Sequence, residues 1–495
     1  MKRTLCIILT CLCVLPLLAA CGEEKTPASE KPQADAAVTT ATEAETEAVT
    51  TAPEYVAPES GFDGQEFIFS SYLPDSTSWS VRKYSECGVT EQNGDAINDA
   101  IYTRNLAVEE ALNVKITAKA YNQLSLMTKA TMAGDRYADA VLMTGSEQMS
   151  SVNSHLLVDM YEIETLDLTH SWWNQNCREN FAISGRIYGM AGDISPMGLM
   201  GFHCVYVNKQ LLVDFNLPSI YDKVRDGAWT LDSMREYGTA VASDLDGDGV
   251  MTEADRFGLE SEAIGMARML ASGVTVTARD EKGNPYLSID QENAAAAVEK
   301  IVALFRDKDI TIYSSDYSNK GYASVFRDLL FQMFIDDRIL FINNWLVWTL
   351  DLRLMESDFG VLPPPKQDEA QENYIVGSTE GWTTYVTVPV TTADYELDGY
   401  LLDALGYYGQ KFVEPALMET TVTNKALRDD DSLEMLDIIS ASTYYEPAGL
   451  YNWGGISGLF NAFIANNNTG WASVYAANEA KIIAAIEKIV AEFAE

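Results

Sequence analysis

The run Gln65-Glu66-Phe67-Ile68-Phe69-Ser70-Ser71-Tyr72 opens an alternation that decides the fold class. Its centre, Phe67-Ile68-Phe69, predicts a strand over Gln65 to Tyr72, because aromatic and β-branched side chains fit a pleated surface. Over Asp95 to Asn113 the period changes. Ile97, Ile101, Val108 and Leu112 fall on one face of a helix. Val114 to Ala120 then reads as a strand, Leu124 to Ala133 as a helix, and Ala138 to Met143 as a short apolar strand ending in Thr144-Gly145-Ser146. A β-α-β-α-β order predicts a mostly parallel sheet with helices on both faces.

The alternation returns further along. Leu199 to Val207 reads as a strand and Thr230 to Ser243 as a helix. Ala294, Ala297, Val298, Ile301, Val302 and Phe305 stand at helical spacing within Asn293 to Phe305. Arg338 to Ile342 reads as a strand, followed by a helix from Trp345 to Leu352. The C-terminal third is mainly helical, and Ile482, Ile483, Ile486, Ile489, Val490 and Phe493 make an apolar stripe on its last helix. The body from residue 61 onward, about 435 residues, suits two α/β lobes. Open α/β sheets bind ligands beyond the carboxyl ends of their strands, and two such lobes facing each other make a cleft that can close by hinge motion.

Of 495 residues, 73 are acidic and 34 basic, a net charge of −39. That balance excludes a nucleic-acid binder working through a basic groove and argues against charge-driven docking on anionic lipid. Only His155, His170 and His203 are histidines, so histidine-rich metal catalysis is poorly supported. Cys87, Cys177 and Cys204 are the only cysteines after residue 21, too few for a disulfide framework; one bridge or three buried thiols are both open. At the N-terminus Lys2 and Arg3 precede an apolar run, Leu5 to Leu18, too short to span a bilayer as a helix. It ends in Leu18-Ala19-Ala20-Cys21-Gly22, which resembles a bacterial lipobox. Residues 1–20 are thus expected to be a lipoprotein signal peptide, with lipid on Cys21; several acyl chains on one residue anchor stably where one does not. Residues 21–60 are rich in Thr, Ala, Glu and Pro, and are expected to form a disordered acidic tether.

The sharpest motif is Asp244-Leu245-Asp246-Gly247-Asp248-Gly249-Val250-Met251-Thr252-Glu253-Ala254-Asp255. Alternating carboxylates at Asp244, Asp246 and Asp248 converge on one centre, and Gly249 allows the sharp turn. Val250 offers a carbonyl, Thr252 acts directly or through water, and Asp255 closes the loop. Hard oxygen ligands in this order suit Ca²⁺ in a structural role. Asp255 stands where such loops usually carry Glu, and in this the loop resembles those of dockerin modules. The second signal is nine tryptophans, several in loops or at strand ends: Trp345 after Ile339-Leu340-Phe341-Ile342-Asn343-Asn344, Trp382 in Ser378-Thr379-Glu380-Gly381-Trp382, and Trp453 in Tyr451-Asn452-Trp453-Gly454-Gly455. An indole in a cleft stacks on the apolar face of a sugar ring; core packing is the bland alternative. No GxSxG, HExxH, Walker loop or GxGxxG stands in a usable context.

Taken in order, several segments resemble the extracellular solute-binding proteins of bacterial ABC importers, in the group that handles sugars and oligosaccharides. Tyr102-Thr103-Arg104-Asn105 with Val108-Glu109-Glu110, Leu166-Asp167-Leu168 before Trp172-Trp173, Tyr206-Val207-Asn208-Lys209-Gln210-Leu211-Leu212, Asp226-Gly227-Ala228-Trp229-Thr230-Leu231, the acidic loop with Arg256-Phe257-Gly258-Leu259, and Phe359-Gly360-Val361-Leu362-Pro363-Pro364-Pro365-Lys366 carry the likeness. It implies an α/β, two-lobe periplasmic-binding-protein-like fold (type II, discontinuous lobes) with a helical C-terminal region. Residues 61–160 plus 385–422 are expected in lobe 1, and 161–384 plus 423–495 in lobe 2. The resemblance further implies a non-enzymatic monomer, lipid-anchored on the extracellular face of the cytoplasmic membrane, that captures a carbohydrate and delivers it to ABC permease subunits. Its implied ligand residues are Trp345, Trp453, Trp382, Glu380, Asp75, Trp79, Ser146, Glu147, Asp193 near the hinge, and Asn344. Asn343-Asn344 stands where many relatives carry Gly before the Trp. A binder of peptide or another polar solute, a secreted glycoside hydrolase or lyase, and a structural surface lipoprotein remain alternatives.

Overall fold

Asp95 starts the first long helix, Ala96–Leu112, by accepting hydrogen bonds from the Ile97 and Asn98 backbone N–H groups. Asn113, left-handed at φ 48°, ends it. The face between carries the expected Ile97, Ile101, Val108 and Leu112, all buried. The computed structural model describes residues 54–494 apart from 73–83, 122–123, 353–354, 379–382 and 423–429. Its strands in chain order are β1 (Gln65–Ser71), β2 (Val114–Ala120), β3 (Ala140–Thr144), β4 (His203–Asn208), β5 (Phe257–Ser261), β6 (Thr277–Arg279), β7 (Pro285–Leu287), β8 (Thr311–Tyr313), β9 (Ile339–Trp345), β10 (Phe359–Leu362), β11 (Val376–Gly377), β12 (Thr384–Thr387) and β13 (Thr443–Tyr444).

The first sheet has the order β12-β3-β1-β2. Its β1 runs parallel to both neighbours, with Phe67 opposite Ile116 and Phe69 opposite Ala140. Phe67 and Phe69 are fully buried, each contributing about 1.5–3 kcal/mol of hydrophobic burial. The edge strand β12 comes from far along the chain and pairs antiparallel, setting Thr384 beside Thr144. The second sheet has the order β10-β4-β9-β5-β8. Here β5 is parallel to β8 and β9, while β4 is antiparallel to β9 and β10. The C-terminal region is helical, with Pro447–Leu450, Ile456–Ala465 and Trp471–Ala494. The last helix buries Trp471, Ile482, Ile486, Ile489 and Phe493, whereas Ile483 of the expected stripe is exposed. Among the described residues no helix is long and apolar enough to cross a membrane.

Several expectations need correction. Leu199 to Val207 is not one strand: the Ser195 side chain caps a helix over Pro196–Met200, with Pro196 in its first turn, and β4 begins only at His203. The strand read as Arg338 to Ile342 runs on to Trp345, held by pairing with β4, and the helix expected from Trp345 begins after it as a short 3₁₀ turn, Leu346–Trp348. The end of the tether is packed rather than free, because Tyr55 donates to the Tyr400 carbonyl and its ring lies 6.1 Å from that of Tyr407. Residues 161 to about 194, expected with the second lobe, make contacts on both sides, for Asn176 donates to the Thr443 carbonyl and Tyr188 packs on Phe493. Met190 exchanges backbone hydrogen bonds with Val386 of β12, and Trp172 Nε1, Trp173 Nε1 and His170 all converge on Asp403. Cys87, Cys177 and Cys204 are three buried free thiols. Residues 1–20, Cys21 and the tether up to residue 53 lie outside the described residues.

Candidate functional site

Parallel strands deliver their carboxyl ends to one edge of a sheet, and in the first sheet that edge is Tyr72 and Thr144. Gly145 follows immediately and opens the helix Gly145–Val152. Ser146 is exposed at its first turn. Glu147 is engaged: its Oε2 accepts from the Thr144 N–H (2.9 Å), the Thr144 hydroxyl (2.8 Å) and the Tyr72 hydroxyl (2.5 Å). It therefore caps the helix and fixes Tyr72 at the mouth of the segment that follows β1. Asp75, Trp79, Glu380 and Trp382 lie outside the described residues.

The second sheet presents His203 at the start of β4 directly opposite Trp345 at the end of β9. Trp345 is half-buried, with its indole 5.9 Å from the His203 ring. Asn344, 5 % exposed, accepts from the Trp345 N–H at 2.8 Å and approaches Glu262 Oε2 at 3.5 Å through its amide nitrogen. Beneath them lies a set of charged side chains that the motif reading passed over. Glu260, on β5, accepts from the Asn343 N–H at 3.0 Å. Arg268, from the helix Gly265–Ala271, donates through Nη1 to the Glu262 carbonyl (2.7 Å) and the Ser261 hydroxyl (3.2 Å), and its guanidinium lies 3.6 Å over the Phe305 ring. Glu260 and Arg268 are 1 % and 3 % exposed. Burial pushes the Glu260 carboxyl up to about 8, with Glu262 adding to the rise and Arg268 opposing it. Burial raises Glu262 too, and burial with the Arg268 charge pushes His203 down to about 3, so that it is neutral. The available signal was a Glu inside an otherwise apolar strand, Phe257-Gly258-Leu259-Glu260.

The turn that carries Trp453 touches both edges. A Cβ on Gly145 would meet the Leu450 carbonyl at 3.3 Å, and one on Gly449 would meet Met266 Cε at 2.9 Å. Trp453 is 4 % exposed and packs beside Tyr451 at 5.7 Å; Tyr451 stacks in turn on Phe181. Its indole is thus part of the wall. Asn452, Gly454 and Gly455, all at positive φ, hold this turn. Two chain crossings between the sheets meet at Ser195 and Thr384, whose hydroxyls lie 2.8 Å apart and share Glu86 Oε2. Asp193 sits in the first crossing but turns to Gln410 Nε2 at 3.1 Å. Burial, and after it the charge of Glu414, raises its carboxyl well above the usual range.

The acidic loop draws three of its carboxylates together. Oxygens of Asp244, Asp246 and Asp255 lie within 4.8 Å of one another. Asp244 accepts from the Gly247 and Gly249 N–H groups, and Asp255, fully buried, from those of Leu245 and Thr252. Both Gly247 and Gly249 are at positive φ, a conformation that costs a side chain but not glycine. Although the Asp248 N–H bonded to it pulls the other way, desolvation and the charges of Asp248, Asp255 and Asp244 lift the Asp246 carboxyl above its ordinary value. Convergent carboxylates held this close fit a divalent hard cation. Asp248 caps the Val250 N–H at 2.7 Å and lies outside the convergent trio.

No protein-family model and no curated protein matches the chain. Solved structures do. The cyclic α-maltosyl-1,6-maltose binding protein of Arthrobacter globiformis is similar over 86 % of this chain and 100 % of its own, at 13 % identity and a TM-score of 0.56. An ABC substrate-binding protein of Listeria monocytogenes, solved with cycloalternan, is similar over 87 % of this chain and 100 % of its own, at 11 % identity and a TM-score of 0.55. The GacH receptor of Streptomyces glaucescens, solved with acarbose, is similar over 85 % and 98 %, at 12 % identity and a TM-score of 0.54. The chain has the two-lobe α/β fold of the substrate-binding proteins of ABC transporters.

Proposed function

We propose that this protein captures a carbohydrate between its two lobes and releases it unaltered. The observation that carries this reading is the half-buried Trp345 at the carboxyl end of β9, flanked by Asn344 and Glu262. An indole face takes the C–H side of a sugar ring and the polar neighbours take its hydroxyls. The three similar proteins are named or solved with oligosaccharides or with acarbose, which supports the same ligand class. Closure is a population shift, since a ligand bridging both lobes binds the closed form more tightly than the open one. Ser146 and Tyr72 on one edge, and Asn344 and Trp345 on the other, are the contacts assigned from the described residues. Asp75, Trp79, Glu380 and Trp382 complete the assignment. Trp453 and Glu147 serve as wall and brace, and Asp193 as part of the crossing.

In the same reading Cys21 carries the lipid, the protein works as a monomer on the outer face of the cytoplasmic membrane, and ABC permease subunits receive the sugar. Asp244, Asp246, Asp248, Asp255, the Val250 carbonyl and Thr252 hold a structural Ca²⁺. The test is isothermal calorimetry of the purified protein against a panel of oligosaccharides, with chromatography of the same samples. Saturable binding with unchanged glycan is expected. Glycan cleavage by the pure chain, or no binding across the panel, refutes the proposal.

A further inference from the structure

Buried polar groups are nearly always hydrogen-bonded, because an unmade bond in the interior costs about 1–3 kcal/mol. Beneath Trp345 several such bonds are missing at one place, those of Glu260 and Arg268 among them. Glu260 uses Oε1 on the Asn343 N–H, while its Oε2 has no hydrogen-bond partner. Arg268 uses only Nη1, while its Nε and Nη2 have none. The guanidinium cannot turn to find partners, because its face is held against Phe305 and its Nη1 is fixed by the Glu262 carbonyl. Glu262, whose Oε2 lies 3.5 Å from the Asn344 amide nitrogen, and Trp345 are both half-buried.

We infer that Glu260 and Arg268 form a subsite for a pair of sugar hydroxyls, which selects uncharged sugars over acidic and amino sugars at this position. This rests on the carbohydrate reading above and names the ligand chemistry within it. A hydroxyl both donates and accepts. Adjacent hydroxyls can accept from Arg268 Nε and Nη2 and exchange a hydrogen bond with Glu260 Oε2. They satisfy the carboxyl whether or not it holds a proton. A uronate carboxylate only accepts, and would add a third acid to Glu260 and Glu262 with Arg268 as the one base of the cluster. An ammonium only donates, so although Glu260 and Glu262 attract it, it leaves both Arg268 donors unpaired and meets the Arg268 charge. A site with unpaired buried groups discriminates strongly against an analogue that cannot pair them.

The experiment uses calorimetry on the full chain with neutral malto- and xylo-oligosaccharides, oligogalacturonides and chitosan oligosaccharides as probes. At least one neutral probe is expected to bind, with the charged probes weaker by about tenfold or more. Glu260→Gln, which keeps the Asn343 contact, and Arg268→Lys, which keeps the charge, are each expected to weaken the neutral probe about tenfold, with circular dichroism unchanged. Glu260→Gln/Glu262→Gln is expected to narrow the gap between neutral and uronate probes. Neutral binding that is unchanged in folded Glu260→Gln, or wild-type protein that binds uronate as tightly as the neutral probe, overturns the subsite while leaving carbohydrate capture standing. Should Glu260→Gln not fold, Arg268→Lys and the wild-type panel decide the matter. Absence of binding to every probe overturns both.

Discussion

Withdrawing calcium should lower the melting temperature by an amount that can be worked out. Asp244, Asp246 and Asp255 bring carboxylate oxygens within 4.8 Å of one another, and the positive-φ glycines Gly247 and Gly249 shape the loop around them. A cation that binds this arrangement and not the unfolded chain stabilises by mass action. At a free concentration a hundredfold above its dissociation constant the gain is about 2.7 kcal/mol. Unfolding entropy near the midpoint is about 2.1 cal/mol/K per residue. For the roughly 440 residues from 54 to 494 this amounts to about 0.9 kcal/mol/K. The quotient is a shift of about 3 °C.

The assay is scanning calorimetry in chelator and in excess Ca²⁺, with Mg²⁺ as a control. Mg²⁺ demands tight octahedral geometry and keeps its water, so it should restore little of the shift. Asp246→Asn separates metal binding from loop folding, because Asp246 is exposed and holds only the Asp248 N–H. That variant should melt in chelator as the wild type does and fail to respond to Ca²⁺. Asp255→Asn, at a buried carboxylate that accepts two backbone N–H groups, should melt lower even in chelator. Coincident melts with and without chelator, or a full Ca²⁺ response in Asp246→Asn, refute the reasoning.

Three further outcomes are expected. Trp345→Ala should weaken the best oligosaccharide found by calorimetry about tenfold or more and leave the melting temperature within a few degrees, since the indole is only half-buried; unchanged affinity removes Trp345 from the site. Asp398 should make stability fall as pH rises. Burial pushes it up to about 8, with the Thr392 hydroxyl bond opposing and the Asp139 charge adding. Its unfolded value is near 3.9, so its contribution is full below about pH 4 and is lost as pH climbs through about 8. Asp398→Asn, which keeps the Thr392 bond, should flatten urea-denaturation stability by on the order of 3 kcal/mol between pH 5 and pH 8, and an equal slope in both proteins contradicts this. Gly265→Ala should destabilise by about 1–3 kcal/mol or more, because its Cβ would lie 2.3 Å from the Phe460 backbone; an unshifted urea midpoint contradicts that contact.

What could be read from the residues in advance divides by how far apart the interacting groups lie along the chain. The helices Ala96–Leu112 and Gln291–Phe305 announce themselves, since cap, stripe and terminus are neighbours in sequence. The acidic loop does so too: its convergent carboxylates lie within twelve residues, and Gly247 and Gly249 supply the turn it needs. The second sheet offers no such cue. The antiparallel pairing of β4 with β9 joins His203 to Trp345 across more than a hundred residues, and only that register places a neutral histidine beside the indole. Pro196 and Ser195 made a helix of what read as a strand, because apolar Leu199 and Met200 fit either period while the capping bond decides between them. Local sequence puts Tyr55 in the tether, because its partners, Tyr400 and Tyr407, lie some 345 residues away.

The same division separates the surroundings of the two tryptophans. Trp345 and Trp453 both follow small or polar residues at the end of an apolar run, and nothing local distinguishes them. The difference is made by Ile482 of the last helix, which closes on the turn at Gly454, and by the Tyr451–Phe181 stack behind it. Those contacts enclose Trp453, whereas Trp345 is half-buried at the end of β9. The ligand site proposed above, drawn from residues as far apart as Tyr72, Ser146, Glu260 and Trp345, would inherit its geometry from two pairings, Thr144 with Thr384 and His203 with Trp345. It follows that ligand affinity should respond to substitutions that disturb either register, wherever in the sheet they fall, and that residue types alone underdetermine the site.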